Sequence, residues 1–180
     1  NIDASFEEVA KGRYPSNTEL CAKIQSFAKV YQQTKLERGL ADYDDLLVYW
    51  LEVLENNQDA AEYYQNRFSY VLVDEYQDVN SLQARIVDKI AANHQVMAVG
   101  DDAQCIYTWR GADLDQIMSF PDRHPGTKIF KIETNYRSSP EILELANGIL
   151  ESRAVETSYS KELKPSRPHQ DLPVLVPTMD

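Results

Sequence analysis

Two adjacent carboxylates, Asp74 and Glu75, close the short apolar run Val71-Leu72-Val73. An apolar strand that ends in two acids places both at the carboxyl edge of a parallel sheet, where open α/β folds bind their ligands. In a nucleotide-hydrolysing site the first acid, Asp74, would hold Mg²⁺ through water. The second, Glu75, would orient and deprotonate the attacking water. The same string also arises wherever a chain leaves the core for solvent, and the bare apolar-Asp-Glu pattern serves both readings.

A second polar loop, Gly100-Asp101-Asp102-Ala103-Gln104, follows the next apolar run, Gln95 to Val99, and leads into Cys105-Ile106-Tyr107-Thr108-Trp109-Arg110-Gly111-Ala112. Opening at the end of a neighbouring strand, it belongs at the same sheet edge as Asp74 and Glu75. Gln104 both donates and accepts, which suits it to sensing a terminal phosphate or its attacking water. Tyr107 and Trp109 offer flat faces for base stacking, and equally suit a core or an interface. A third apolar run, Lys128 to Ile132, precedes Glu133-Thr134-Asn135-Tyr136-Arg137-Ser138. There Arg137 could neutralise charge on a transferring phosphoryl group and Tyr136 could stack on an adenine ring; a surface turn before a helix is the plainer alternative.

The elements that must position these residues follow from periodicity. Apolar residues at Leu20, Ile24, Phe27, Ala28, Tyr31 and Leu36 predict a long amphipathic helix from Asn17, its candidate N-cap, to about Arg38, with Gly39 just past its end. A second helix is predicted over Tyr43 to Glu55, burying Leu46, Leu47, Trp50, Leu51 and Leu54, and a third over Ala60 to Arg67. The runs Tyr70–Asp74 and Gln95–Val99 read as strands buried on both faces, joined by a helix over Ser81 to Ala92 in a crossover. A short helix from Leu114 to Phe120 and a turn at His124-Pro125-Gly126 precede the third strand, Lys128–Ile132. A helix running to about Glu151 is opened by Ser138 and Glu141 at capping-box spacing, with Pro140 near its first position. Beyond it the chain is polar and aperiodic as far as Gln170, and Pro173 to Pro177 reads as a separate strand.

The composition, 43% hydrophobic and 26% charged with six Gly and eight Pro, is that of a globular chain rather than a disordered one. No apolar run is long enough to cross a bilayer. Cys21 and Cys105 are far apart and lack metal-ligand spacing, so a reducing cytoplasm is the expected setting. A net charge of −11 argues against binding nucleic acid through bulk electrostatics, and any such contact must be local.

The string Asp74-Glu75-Tyr76-Gln77-Asp78 resembles motif II of the UvrD/Rep (PcrA-like) superfamily 1 helicases, a variant of the Walker B element. Gly100 to Ala112 resembles motif III, with Cys105 where the family commonly has Ser. Asn135-Tyr136-Arg137 resembles motif IV, and Asp42-Tyr43-Asp44-Asp45-Leu46-Leu47 resembles a short sequence ahead of motif II, here read as a helix start with a structural role. Three motifs in order are far more specific than one.

The resemblance implies an α/β fold: a partial RecA-like P-loop NTPase motor domain, a parallel sheet with flanking helices, preceded by a helical segment. It divides the chain into residues 1–67, the end of an inserted helical subdomain; 68–132, the second half of the first motor domain; and 133–180, motif IV and the start of the second. It implies ATP and Mg²⁺ as cofactors, with Asp74, Gln104, Tyr136 and Arg137 toward the nucleotide and Glu75, Gln104 and Arg137 in catalysis. Tyr107, Trp109 and Arg110 would lie toward DNA. The activity implied is that of an ATP-dependent helicase or translocase, 3′ to 5′, acting on single-stranded and duplex DNA in repair or replication, with repair or replication proteins as further partners.

None of the six glycines opens a Gly-x-x-x-x-Gly-Lys-Ser/Thr loop, the element whose backbone N–H groups and lysine cradle the β- and γ-phosphates. The 180 residues are therefore expected to be an internal piece of a larger enzyme, inactive alone. Two other readings remain: a non-hydrolysing module that binds DNA or a protein, and the motor of a helicase–nuclease complex.

Overall fold

A computed structural model describes residues 6–13, 20–92, 95–108, 111–152, 159, 161–174 and 176. They fall into two units: one comprises residues 1–101 and 105–117, the other residues 102–104 and 118–180. Among the described residues no helix is long and apolar enough to cross a membrane.

The first unit opens with α1 (Phe6–Arg13) and α2 (Cys21–Arg38), which pack on each other. Gly39 ends α2 in the left-handed region (φ 62°), its N–H donating to the Leu36 carbonyl at 3.2 Å, as a C-terminal glycine permits. The expected N-cap, Asn17, lies outside the described residues. The apolar positions of α2 do share a helix, but Ile24, Phe27, Tyr31 and Leu36 are exposed and its buried residue is Lys35. Periodicity states which side chains share a face; whether that face is covered depends on what packs against it.

Helix α3 (Tyr43–Asn56) starts at a reciprocal capping box. The Asp45 N–H donates to Asp42 Oδ1 and the Asp42 N–H donates to Asp45 Oδ2, both at 2.9 Å. The Lys35 ammonium lies 2.6 Å from Asp42 Oδ2 and from Asp45 Oδ2, tying the end of α2 to the start of α3. The acidic hexapeptide is thus a built helix start, as its sequence suggests. Asn57 caps α4 (Gln58–Arg67) by accepting from the Ala60 N–H at 3.0 Å.

Strand β1 (Tyr70–Val73) pairs in parallel with β2 (Gln95–Ala98), register Val71 to Val96 and Val73 to Ala98, across α5 (Ser81–Ile90). Asn80 and Gln83 form a second reciprocal capping box at the start of α5. Leu51 and Leu54 of α3 and Ile86 and Ile90 of α5 make the core, with Leu47, Tyr64, Val71 and Leu82 around them. Burial of each such side chain contributes about 1.5–3 kcal/mol. Leu46 and Trp50, expected inside, are exposed. The strands are covered on one face only, since Tyr70, Leu72 and Met97 are exposed while Val71 and Val73 turn inward. The architecture is α/β, with parallel strands and flanking helices behind a helical segment, a partial RecA-like arrangement.

The helix expected over Leu114 to Phe120 ends two residues early, as α6 (Leu114–Met118), and a separate short helix, α7 (Phe120–Arg123), follows it. Pro121 explains the break: it has no N–H and its ring would clash with the Ile117 carbonyl in a continuous helix. In the second unit the run Lys128 to Ile132 is not a strand, and Ile129, Phe130 and Ile132 are exposed. A strand needs a ladder partner, and the pairing starts two residues later, where β3 (Thr134–Asn135) runs parallel to β4 (Lys164–Pro165) in the stretch that looked aperiodic. Pro140 is the first residue of α8 (Pro140–Ser152). Rather than closing a box on Ser138, the Glu141 carboxylate accepts from the Gln170 N–H at 3.2 Å and lies 2.7 Å from His169 Nδ1. Of the expected strand at 173–177, Pro173, Val174 and Val176 are not in a strand, and Leu175 and Pro177 lie outside the described residues.

Candidate active site at the carboxyl end of the parallel strands

The ladder between β1 and β2 runs past the last strand residues: the Val99 N–H donates to the Val73 carbonyl at 2.8 Å and the Tyr76 N–H to the Val99 carbonyl at 2.9 Å. Asp74 and Glu75 sit within this extension, exposed at the carboxyl end of the strands, as their position in the sequence predicts. The chain turns there through Glu75, whose φ of 51° and ψ of 44° make it the described non-glycine residue in the left-handed region. That conformation costs an ordinary L-residue about 1–2 kcal/mol. It is locked on both sides: the Glu75 N–H donates to Asp74 Oδ1 at 2.9 Å, and the Glu75 carbonyl accepts from the Asp78 N–H at 2.9 Å.

The residue that organises the edge is Gln77, in sequence only one member of the Asp74–Asp78 motif. It is 2% exposed. Its Nε2 donates to Glu75 Oε2 at 2.6 Å, and its Oε1 accepts from the Asp101 N–H at 2.9 Å. One buried amide therefore holds both the acid and the start of the second loop. The signal was an amide two residues after the acid, able to donate and accept at once. Gly100 makes room for it, because a Cβ there would lie 2.7 Å from Gln77 Oε1 and 2.9 Å from Ile117 Cδ1.

The loop returns through Gly111 (φ 91°), whose N–H donates to the Thr108 carbonyl at 3.0 Å, while the Ala112 N–H reaches the Tyr107 carbonyl at 3.2 Å. Burial, then the nearby Asp78 and Asp113, push the Cys105 thiol up, so it stays a neutral, small group there. Tyr107 is in the first unit, on this loop; Trp109 and Arg110 lie outside the described residues.

Gln104, Tyr136 and Arg137 belong to the second unit. Gln104 ends the single turn Asp102–Gln104. Tyr136 and Arg137 are exposed on a loop shaped by Asn135, whose Oδ1 accepts from the Arg137 N–H at 2.9 Å and the Ser138 N–H at 2.8 Å. The Arg137 carbonyl accepts from Arg167 Nη1 at 2.7 Å.

Mg²⁺ is usually held by one or two carboxylates, with waters and substrate phosphates completing its octahedron. Asp74 fits that requirement, being exposed, with Oδ1 occupied by a backbone N–H and no described contact to Oδ2. Among the described residues no group of three or more His, Cys, Asp or Glu could hold a metal.

A family model described as the UvrD/REP helicase N-terminal domain matches residues 3–125. The chain is similar to the ATP-dependent DNA helicase PcrA of Staphylococcus epidermidis, 44% identical over 131 residues, which is 70% of this chain and 18% of that protein. It is similar to PcrA of Bacillus subtilis strain 168, 38% identical over 150 residues, 83% of this chain and 20% of that protein. Against PcrA of Staphylococcus aureus strain Mu50 it is 40% identical over 134 residues, 72% of this chain and 18% of that protein. The chain spans about a fifth of the length of these relatives.

Proposed function

This chain belongs to the UvrD/REP helicase family, and from that premise we propose that it is the part of an ATP-dependent DNA helicase that joins nucleotide hydrolysis to grip on single-stranded DNA. The observation that carries the reading is Gln77, which bonds Glu75 on one side and the Asp101 N–H on the other. In this reading that bridge links the hydrolytic acid to the start of the loop whose sequence continues to Tyr107 and Trp109.

In this reading Asp74 would hold Mg²⁺ through water, and Glu75, steered by Gln77, would orient the attacking water and take its proton. Mg²⁺ bound with ATP supplies charge neutralisation on the phosphates. Gln104 senses the terminal phosphate, Arg137 neutralises charge on the transferring group, and Tyr136 stacks on the adenine. Tyr107 and Trp109, with Arg110 beside them, hold DNA by stacking, a local grip compatible with the acidic net charge. Residues 1–67 form a helical segment, 68–132 the second half of the first motor domain and 133–180 the start of the second. Movement is 3′ to 5′, in repair or replication, and the compartment is the cytoplasm.

The test is Glu75→Gln in a full-length protein carrying this sequence. DNA-stimulated ATP hydrolysis is expected to vanish while ATP binding persists; normal turnover in that variant would sink the proposal.

A further inference from the structure

Asp102 opens the turn that ends in Gln104, and it is buried. Its Oδ1 lies 2.8 Å from Lys161 Nζ, with the two side chains 6% and 16% exposed. Two residues earlier, Tyr159 has its phenol pushed up by burial, then by Asp102 and Asp122, which places it in the same surroundings. After Lys161 the backbone is held on both sides. Asn147 of α8 makes two bonds to Leu163, Nδ2 donating to its carbonyl and Oδ1 accepting from its N–H, each 3.0 Å. The Lys164 N–H donates to the Glu133 carbonyl at 2.8 Å and the Ser166 N–H to the Asn135 carbonyl at 3.1 Å. Arg167 Nη1 then donates to the Arg137 carbonyl at 2.7 Å. Seven consecutive residues thus hold the turn bearing Gln104 at one end and the loop bearing Arg137 at the other.

We propose that residues 161–167 are a positioning strap, in which Lys161 sets the Gln104 turn and Arg167 sets the Arg137 loop from one anchored segment. The inference rests on the reading that Gln104 and Arg137 face the nucleotide. In this proposal Lys161 acts through Asp102 as a positioning residue. A buried ion pair suits this task, because removing one partner leaves the other charge uncompensated and frees the backbone it held. A misplacement of about 1 Å in a catalytic group lowers rates by up to ~10²-fold.

The test uses a full-length protein carrying this sequence and reads DNA-stimulated ATP hydrolysis beside urea unfolding. Lys161→Met is expected to lower kcat by roughly 10- to 100-fold with little change in KM for ATP. Lys161→Arg, which keeps the charge, is expected to recover most of that loss. The double variant Asp102→Asn/Lys161→Met removes both charges, so it is expected to recover the urea midpoint but not kcat. A purely structural pair would behave differently: recovery of kcat together with stability in the double variant overturns the strap, as does a wild-type kcat in Lys161→Met. Glu75→Gln is assayed alongside. If that variant turns over normally, the functional reading falls, and the strap is judged by hydrogen exchange at the Ala103 and Gln104 amides. Those amides exchange faster in Lys161→Met if Lys161 holds the turn, and unchanged protection refutes it.

Discussion

Replacing Gln77 with Leu keeps nearly the same shape and removes both ends of the amide bridge. Two losses can be costed from the geometry. The bond to Glu75 Oε2 at 2.6 Å is charge-assisted, and such bonds contribute about 1.5–3 kcal/mol. Because Glu75 is exposed, water replaces part of that bond and the low end applies. The part-buried Asp101 N–H loses its acceptor at 2.9 Å, and a stranded donor costs about 1–3 kcal/mol. With no cavity left by a side chain of similar volume, the sum is about 2.5–4.5 kcal/mol. Urea unfolding of the 180-residue chain, followed by far-ultraviolet circular dichroism, reads this directly. At a urea slope of about 2 kcal/mol/M, the middle of the usual range, the midpoint falls by roughly 1–2 M. A loss below about 0.5 kcal/mol, the scale of an ordinary surface substitution, refutes the reasoning.

Gly100→Ala drives a methyl to 2.7 Å from Gln77 Oε1 and 3.2 Å from Gln77 N; it is expected to cost about 1–3 kcal/mol in urea unfolding. Its cost in the Gln77→Leu background departs from additivity, because the two positions share one contact. The α2–α3 junction predicts an acid dependence. The Asp42 carboxyl is lowered from an ordinary 3.8 to about 2, first by the hydrogen bond from Lys35 and then by the Asp45 N–H. Burial opposes charge on Lys35, but its bonds to Asp42 and Asp45 override that and raise it. A carboxyl with a depressed value stabilises the fold fully above its unfolded value, and the contribution fades as pH falls through the folded one. Urea midpoints are therefore expected to drop between about pH 4 and 2, and Lys35→Met, with a lower midpoint at neutral pH, to show a shallower drop. Equal slopes in the two proteins contradict this.

Much of the scaffold was readable from local chemistry. The runs Tyr70–Asp74 and Gln95–Val99 end in acid and glycine, and a chain that must satisfy its backbone inside a core has few alternatives to a parallel pair across α5. Gly39 and the Asp42–Asp45 spacing announced a helix end and a helix start because capping is decided within a few residues. What stayed hidden depends on partners distant in sequence. Ile129, Phe130 and Ile132 have strand chemistry but no ladder, whereas Lys164 and Pro165, with none, pair with β3. Leu46 and Trp50 share a face with Leu51 and Leu54, yet α5 covers only part of it. At the site, Asp74 and Glu75 stood out because acids after an apolar run are visible in one dimension. Gln77, Asp102 and Lys161 did not, since their roles exist only once Asp101 is beside Gln77 and residue 161 is beside residue 102.

The left-handed backbone at Glu75 sets two selective demands against each other. Glycine or asparagine would rest there with little strain, and either would remove the carboxylate that Gln77 grips. A search for stabilising substitutions in this chain that scored backbone comfort alone would be drawn to this position. It would improve the fold by dismantling the carboxylate that, in the proposed function, takes a proton from water. Under that proposal, backbone comfort and hydrolysis trade against each other at residue 75.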